Sequence, residues 1–325
     1  MDNSVKKSVV MNMSLKESLE KKVIAYYTDI WKDIRHSDYK RWLDNFKGGE
    51  KEKLNALYLL SKFTYFGNLE IRAMLKSMYR DLYKYPIVKT IREHNNDTTD
   101  EAFIKREFKR LHSCTRFLGV GNPSESGVHL LYYFRQENEL PKTMFIHAHE
   151  LFLSTFSKSD NKMVQTWASK DINHIVFIDD FCGNGSQAIN YIKDLVKQIK
   201  ELNENCQVDY FVMVANKVGL ANVKRETNVN HSEAIFELDE SFKCFSDNSR
   251  YFANEIEGID KAYCKNMCEY YCQDRSMDAQ SPLGFKNNEL LLSFFHNTPN
   301  NTLPIFWTEA KDWFPLFNRS IKKYQ

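Results

Sequence analysis

Two adjacent carboxylates, Asp179 and Asp180, are separated by two residues from a short glycine-bearing segment that runs from Gly183 to Gln187. Carboxylate oxygens accept hydrogen bonds from hydroxyl groups and bind divalent metal ions, but they do not suit phosphate. Glycines let the backbone approach a phosphate closely, and the amide N–H groups at the start of a helix attract anions. The combination indicates a site for a ligand that carries both hydroxyl groups and phosphate.

The residues on either side of this segment predict a strand and a helix that would position it. Residues 175–178 form an apolar run rich in β-branching, which is typical of a buried parallel strand. Apolar residues recur at helical spacing over residues 188–199. In open α/β sheets, ligands bind beyond the carboxyl ends of the strands, which is where this order places the acids and glycines.

Other cofactor sites share this order of strand, acid, loop and helix. The pattern Gly183-x-Gly185-x-x-Ala188 matches the dinucleotide-binding fingerprint in form. That fingerprint expects an acid after the next strand, and the strand predicted at residues 208–215 is followed by Asn216 instead. The P-loop motif needs a lysine after its second glycine, and this segment has none.

A methyltransferase is the more serious alternative. Residues 180–186 look like the first cofactor motif of amino-methylating DNA methyltransferases. Those enzymes also need a tetrapeptide of Asn or Asp, two prolines and an aromatic residue, which this sequence lacks. An S-adenosylmethionine-dependent methyltransferase stays open as an alternative function.

The doubled acid fits one further family well. Phosphoribosyltransferases follow a hydrophobic strand with two acids, three residues and a Thr-Gly-x-Thr loop, and here the loop is Asn184-Gly185-Ser186-Gln187. The chain resembles in particular the phosphoribosyltransferase-like domains proposed as effectors in bacterial conflict and antiphage systems. The resemblance rests on residues 176–187, on residues 119–127 with the aromatic run 132–134, and on residues 296–307.

The resemblance implies a type I phosphoribosyltransferase-like α/β fold with a parallel sheet flanked by helices. We predict a helical N-terminal region over residues 1–111 and the phosphoribosyltransferase-like domain over residues 112–325. In the first region, hydrophobic spacing predicts helices at residues 51–66 and 69–83, with Pro86 closing the second. The other domain is expected to hold a helix at residues 128–138 and strands at residues 115–121, 143–147, 208–215, 234–238, 290–295 and 303–307.

The resemblance also implies roles for individual residues. Asp179 and Asp180 would be the catalytic acids that hold the ribose hydroxyls of the donor substrate, 5-phosphoribosyl pyrophosphate, and help to place Mg²⁺. The phosphates would be bound by the glycine loop and by the loop after the first strand of the sheet. These donor-binding residues are Gly183, Asn184, Gly185, Ser186, Gln187, Ser124, Ser126 and Gly127.

Four residues are candidates for contact with the acceptor substrate. Lys217 follows the strand predicted at residues 208–215 and would lie at the same edge, although a surface lysine is the simpler interpretation. Asn297, Asn300 and Asn301 have amide groups that can pair with the edge of a nucleobase. A polar hairpin turn is the simpler interpretation of these asparagines, but the resemblance favours a role that faces the substrate.

Two features near the strand predicted at residues 143–147 could belong to the same site. His147 and His149 lack a third ligand at matching spacing, so they favour a role near the substrate or leaving group over a zinc site. The polar patch at residues 157–162 is the candidate for a mobile loop that closes over the site and excludes water from a reactive cation.

Three departures from the family pattern bear on the reaction. Asn184 and Gln187 occupy the usual threonine positions, and Gly183 stands where purine-type members have a carboxylate that activates the base. The loop expected to bind pyrophosphate contains no Lys or Arg. A catalytically inactive nucleotide-binding regulatory module is therefore a second alternative function.

The composition gives no sign of a nucleic-acid or membrane partner. Lys and Arg number 45 against 43 for Asp and Glu, so the net charge of +2 gives no general attraction to nucleic acid. No segment reads as a signal peptide or membrane span, so we expect a cytoplasmic protein whose seven cysteines are free thiols. The expected partners are a nucleotide or phosphoribosyl small molecule, and a defence-system protein bound through the helical N-terminal region.

Overall fold

The computed structural model describes residues 3–31, 34–121, 126–157, 161–277 and 281–320. Ser124 and residues 158–160, which are half of the loop predicted to be mobile, lie outside these ranges. The helices are α1 (Asn3–Ala25), α2 (His36–Leu43), α3 (Glu50–Ser61), α4 (Asn68–Ser77), α5 (Tyr85–Glu93), α6 (Glu101–Ser113), α7 (Ser126–Glu137), α8 (Ser186–Leu202), α9 (Lys217–Thr227) and α10 (Lys261–Asp274). The strands are β1 (Thr64–Phe66), β2 (Thr115–Gly119), β3 (Phe152–Ser157), β4 (Lys162–Trp167), β5 (His174–Cys182), β6 (Gln207–Asn216), β7 (His231–Leu238) and β8 (Leu292–Phe294).

The chain forms two compact units, and these do not follow the boundary predicted at residues 111 and 112. The first unit comprises Met1–Leu69 and Asp239–Gln325, and the second comprises Glu70–Leu238. β1 pairs in parallel with β8, which joins the N-terminal segment to the C-terminal segment in the first unit. Local patterning does not reveal a pairing between strands so far apart in sequence.

The first unit has a core rich in aromatic side chains. The rings of Trp42 and Phe306 are stacked with their centroids 5.2 Å apart, and Trp42 Nε1 donates to the carbonyl of Ile305 at 2.9 Å. The prediction of a strand at residues 303–307 was wrong, because this segment contains the 3₁₀ turn Pro304–Phe306. Proline has no N–H to give to a strand ladder, but it is tolerated at the start of a helical turn.

α10 contributes three cysteines to the same core. Cys264, Cys268 and Cys272 are all buried, as expected for thiols on the inner face of an amphipathic helix. Burial raises the pKa of Cys264 to about 12 and raises that of Cys268 well above its usual value. These thiols therefore stay protonated and act as small apolar packing groups.

The second unit is built on a parallel sheet with the strand order β2-β5-β6-β7, which confirms the α/β fold class. Phe177 of β5 lies opposite Leu118 of β2 on one side and Tyr210 of β6 on the other. β3 and β4 form a separate antiparallel pair, and Ser157 and Lys162, the two ends of the loop predicted to be mobile, are paired in its register.

Helices cover both faces of this parallel sheet. α8 places Ile192 and Val196 in a buried cluster with Phe177. Phe117 of β2 points to the opposite face, where its ring lies 5.2 Å from that of Phe134 in α7. The flanking helices agree with the predicted architecture of a parallel sheet that is covered by helices.

Three further local predictions were wrong. Residues 143–147 form the 3₁₀ turn Lys142–Met144 and a single bridge from Phe145 to β2 instead of a strand. Pro86 does not close a helix but lies in the first turn of α5, where its missing N–H is not needed. Residues 64–66, predicted as a helix end, form β1. Among the described helices, none is long and apolar enough to cross a membrane.

Candidate functional site

The two acids lie inside β5, because this strand extends beyond the predicted apolar run to Cys182. The Asp179 side chain lies on the face of the sheet that carries Phe177 and Tyr210. It also interacts with the side chain of Asp180, the next residue of the strand. Both side chains are buried, with 5% of Asp179 and 8% of Asp180 exposed.

Both oxygens of Asp179 accept hydrogen bonds from the protein. The Tyr210 hydroxyl donates to Oδ2 at 2.8 Å, and the backbone N–H of Asp180 donates to Oδ1 at 2.9 Å. Burial and then the adjacent charge of Asp180 raise the pKa of Asp179 well above its usual value. Each carboxylate oxygen can accept two hydrogen bonds, so Asp179 keeps capacity for a ligand hydroxyl while Tyr210 holds it in place.

Asp180 is held in a similar way. The backbone N–H of Phe181 donates to its Oδ1 at 2.8 Å, so each acid accepts the N–H of the residue that follows it. Both carboxylates are thus oriented before any ligand binds. Two adjacent buried carboxylates repel each other and cost stability, and such an arrangement is more typical of a ligand site than of a scaffold.

The glycine loop leads directly into the N-terminus of α8. Gly185 has φ +86°, a left-handed conformation that glycine adopts without strain. The Ser186 hydroxyl donates to Asn184 Oδ1 at 2.9 Å, and the Asn222 amide donates to the Asn184 carbonyl at 3.1 Å. Gln187 is exposed in the first turn of α8. The loop therefore ends on helical amide N–H groups that suit a phosphate.

The start of α9 packs closely against this loop. A Cβ on Gly219 would lie 2.3 Å from the carbonyl oxygen of Gly183, so only glycine permits this approach. Lys217, the first residue of α9, lies at the same edge, as predicted from the end of β6. Its Nζ is 3.9 Å from the carboxylate of the exposed Glu237, and a contact with substrate stays a prediction.

The loop predicted to bind pyrophosphate is described only at its ends. Ser124 lies outside the described residues, and so does the side chain of Ser126, whose backbone begins α7. Gly127 has a clear steric role, because a Cβ there would lie 2.4 Å from the carbonyl oxygen of Val120. This glycine lets α7 start in contact with the end of β2.

A cavity of about 420 Å³ lies beside the end of β2. Its walls include the apolar Leu118 and Phe145, and its polar side chains are those of His147, His149 and Tyr191. The two imidazoles are nearly parallel, with an angle of 10° between their planes and 5.7 Å between their centroids. The histidines therefore lie near the carboxyl end of the sheet, as predicted, although no strand leads to them.

The three asparagines of the C-terminal block belong to the first unit. The backbone N–H of Ser320 donates to Oδ1 of Asn297 at 3.0 Å. Asn301 is 5% exposed, and its carbonyl accepts the Leu290 N–H at 3.1 Å. Asn300 lies in the same turn. These contacts agree with a role in turn formation, and recognition of a nucleobase stays a prediction.

The chemistry of the acidic pair fits Mg²⁺ in part. This ion prefers oxygen ligands and is commonly bound by one or two carboxylates together with the phosphates of a substrate. Within the described ranges, no group of three or more His, Cys, Asp or Glu side chains could hold a metal. Asp179 and Asp180 therefore fit Mg²⁺ only in combination with phosphate oxygens from a ligand.

Tyr210 was missed in the sequence analysis. The available signal was a tyrosine inside an otherwise apolar strand, since a buried phenol hydroxyl usually finds a hydrogen-bond partner. Naming that partner required the register of β5 on β6, which places Tyr210 beside Phe177 and within reach of Asp179.

A second polar cluster lies at the opposite end of the same sheet. Asp209 Oδ2 is 2.8 Å from His174 Nε2, and its Oδ1 is 3.0 Å from His231 Nδ1. Burial opposes ionisation of Asp209, but the hydrogen bonds and charges of the two histidines outweigh it and lower the pKa to about 2. The hydrogen bond with Asp209 raises the pKa of His231.

Comparison with known proteins supplies one broad match. A family model described as PRTase-CE matches residues 39–319. No protein with a curated description matches the sequence. Among solved structures, orotate phosphoribosyltransferase from Aeropyrum pernix is 13% identical with a TM-score of 0.23, over 43% of this chain and 73% of that one. The Helicobacter pylori xanthine-guanine-hypoxanthine phosphoribosyltransferase is 9% identical with a TM-score of 0.23, over 54% and 86%. These structural likenesses are too weak to carry an argument.

Proposed function

Because the chain belongs to the PRTase-CE family, we propose that it binds 5-phosphoribosyl pyrophosphate or a related nucleotide and acts as a phosphoribosyltransferase-like enzyme. The observation that carries the proposal is the buried pair Asp179 and Asp180 near the end of β5, which leads into the glycine loop and the N-terminus of α8. A role as an effector in antiphage defence, with a protein partner on the N-terminal helices, is part of the proposal and rests on resemblance alone.

The proposed binding mode follows from the charges at this edge. The 5-phosphate of the ligand would bind the amide N–H groups between Gly183 and Gln187, where the α8 dipole favours negative charge. The ribose hydroxyls would donate to Asp179 and Asp180. Since the carboxylates repel phosphate and the helix attracts it, only one orientation of the sugar phosphate satisfies both groups.

The proposed reaction is the transfer of the phosphoribosyl group. A lone pair of the acceptor forms a bond to the anomeric carbon while the bond from this carbon to the pyrophosphate oxygen breaks. The electron pair of that bond leaves with pyrophosphate, and the proton of the acceptor passes to solvent. The protein holds the sugar by its hydroxyls and its phosphate while positive charge develops on the ring. Mg²⁺, held by Asp179 and Asp180 together with ligand phosphates, would neutralise charge on the leaving group.

Calorimetric titration of the full chain with 5-phosphoribosyl pyrophosphate and Mg²⁺ tests the proposal. Wild type should bind saturably, and Asp180→Asn should bind at least about tenfold more weakly because a charged hydrogen-bond acceptor is lost. Asp194→Asn, which neutralises an exposed carboxylate on α8, is the matched control and should bind like wild type. Saturable binding of S-adenosylmethionine alone would contradict the proposal and favour a methyltransferase.

A catalytically inactive regulatory module is the second candidate. It is favoured by Asn184, which stands at a threonine position of the family loop and is engaged by Ser186 and Asn222. Both candidates predict binding of 5-phosphoribosyl pyrophosphate. Release of pyrophosphate in the presence of an acceptor distinguishes the enzyme from the module.

A further inference from the structure

β7 forms one border of the parallel sheet of the second unit. Its eight residues pair with β6 on one side, and within the described ranges no strand pairs with its outer side. At the opposite border, β2 has only five residues, and its Phe117 forms a bridge with Phe145. An edge strand turns a row of N–H and C=O groups away from its sheet, and these groups can pair with a strand of another chain. The outer side of β7 is therefore a surface to which a further strand could be added.

The apolar side chains in the middle of β7 are poorly covered. Ala234 and Ile235 are only half-buried, and Phe236 is 37% exposed. By contrast, Val212 and Val214, which face Ala234 and Phe236 across the ladder to β6, are fully buried. The difference arises because β6 has a strand on each side and β7 has a strand on one side only. A strand added beside β7 would remove apolar surface from water, which favours its binding.

The charged side chains of β7 favour a second copy of the same strand as the occupant. If two antiparallel copies are related by a twofold axis beside Ala234, His231 of each copy lies opposite Glu237 of the other. With the axis beside Ile235, Glu233 would lie opposite Glu237, and with the axis beside Glu233 this residue would face its own copy. Like charges that lie directly opposite each other destabilise a strand pair, whereas opposite charges stabilise it. Charge complementarity therefore selects the axis beside Ala234.

We propose that β7 pairs with β7 of a second copy of this chain, with the twofold axis beside Ala234, so that the two four-stranded sheets become one. The side chains of His231 and Glu237 are 53% and 46% exposed, so a neighbouring chain can reach both. Asp209 engages Nδ1 of His231, which leaves Nε2 for the carboxylate of Glu237 in the other copy. Glu237 also lies 3.9 Å from Lys217, but an exposed ion pair of this kind is weak and can be exchanged. This pairing does not depend on the proposed function.

Sedimentation velocity of the full chain tests whether the dimer forms through β7. Wild type should show a reversible dimer at concentrations up to about 100 µM. Glu237→Lys replaces the attraction to His231 by repulsion and should weaken the dimer at least about tenfold. Glu226→Lys reverses a carboxylate of similar exposure, 40%, that lies on α9 outside the strand, and it should dimerise like wild type. A wild type that stays monomeric, or a dimer that Glu237→Lys leaves unchanged, would overturn the inference.

Cysteine cross-linking tests the register. In the proposed pair the two copies of residue 234 are direct neighbours with Cα atoms about 5 Å apart, which suits a disulfide. Ala234→Cys should therefore give a covalent dimer on mild oxidation with copper phenanthroline, and wild type measures the background from its seven cysteines. Ser232→Cys puts a thiol on the same face of the strand, but its two copies would be about 14 Å apart and should not cross-link. Absence of the covalent dimer in folded Ala234→Cys, or equally fast cross-linking of Ser232→Cys, would contradict the proposed register. The exposed Glu237→Lys variant keeps the inference testable if Ala234→Cys does not fold.

Discussion

Asp179 and Asp209 are buried aspartates on neighbouring strands of one sheet, yet their pKa values move in opposite directions. At Asp179, burial and the adjacent charge of Asp180 raise the pKa. At Asp209, burial acts in the same sense, but His174 and His231 reverse it and bring the pKa to about 2. The partners, not the burial, decide the sign of the shift.

Within one unit, this contrast distinguishes the proposed ligand site from a cluster that stabilises the fold. The carboxyl edge holds two like charges together, which costs stability until a ligand with hydroxyl groups or a cation arrives. The amino edge pairs an aspartate with two histidines, which stabilises the fold. Mutation should therefore damage binding at one edge and stability at the other.

The largest effect on stability is expected from Asp209→Asn. This change removes the buried carboxylate that His174 and His231 share. The loss should lower the free energy of unfolding by about 3 kcal/mol. Urea denaturation measures this loss. His231→Gln removes only the outer, 53% exposed partner and should cost less. Equal stability of Asp209→Asn and wild type would show that the amino edge is not the stabilising one.

Gly185→Ala should cost about 2 kcal/mol in the same assay. The change places a Cβ on a residue with φ +86°, and this atom would lie 2.8 Å from the carbonyl oxygen of Gly219. Gly49→Ala is the matched control, because its φ is +85° but nothing lies within 4 Å of the added atom. Equal losses of stability in the two variants would show that the backbone angle alone causes the effect and that the contact with Gly219 does not.

Tyr210→Phe should cost about 1 kcal/mol, since it removes one buried hydrogen bond and keeps the ring. The lost hydrogen bond lowers the pKa of Asp179 in wild type, so the variant should raise that pKa further. Carboxyl NMR titration of both proteins tests the direction. A pKa that is unchanged or lower in the variant would mean that Tyr210 does not hold the acid.

The smallest effect on stability at acid pH is expected for Asp179→Asn. The raised pKa of Asp179 means that the folded protein binds the carboxyl proton more tightly than the unfolded chain does. The contribution of Asp179 to the free energy of unfolding therefore falls as pH rises above about 4. Asparagine has no such proton, and the variant should gain stability relative to wild type as pH increases. A difference in unfolding free energy that is independent of pH would contradict the raised pKa.

Asp209 should show the opposite pattern, whereas the contribution of His231 should fall with rising pH, as that of Asp179 does. The lowered pKa of Asp209 contributes stability above about pH 4 that is lost as pH falls toward 2. The raised pKa of His231 contributes stability below about pH 6.5 that is lost as pH rises through the folded-state value. The free energy of unfolding of Asp209→Asn should therefore not show the decline that wild type shows at the acid end and at the neutral end of this pH range.

Predictions from sequence succeeded where the signal was local. The apolar run at residues 175–178 and the helical spacing at residues 188–199 correspond to β5 and α8, so the element order around the acids was confirmed. The run at residues 143–147 was too short to decide between strand and turn. It became a 3₁₀ turn with one bridge to β2.

What could not be predicted depends on contacts between distant segments. The hydrogen bond from Tyr210 to Asp179 follows from the register of β6 on β5. The cluster around Asp209 joins residues from three parallel strands, and no local pattern links them. The division into two units follows from the pairing of β1 with β8 in the same way.

The most direct test is the affinity of Asp179→Asn for 5-phosphoribosyl pyrophosphate with Mg²⁺, measured by calorimetry beside Asp209→Asn and His231→Gln. We expect Asp179→Asn to stay folded yet bind at least about tenfold more weakly than wild type. The two amino-edge variants, titrated where they are folded, should keep wild-type affinity. Wild-type affinity in Asp179→Asn, with binding lost in the folded amino-edge variants, would contradict the assignment of the site to the carboxyl edge.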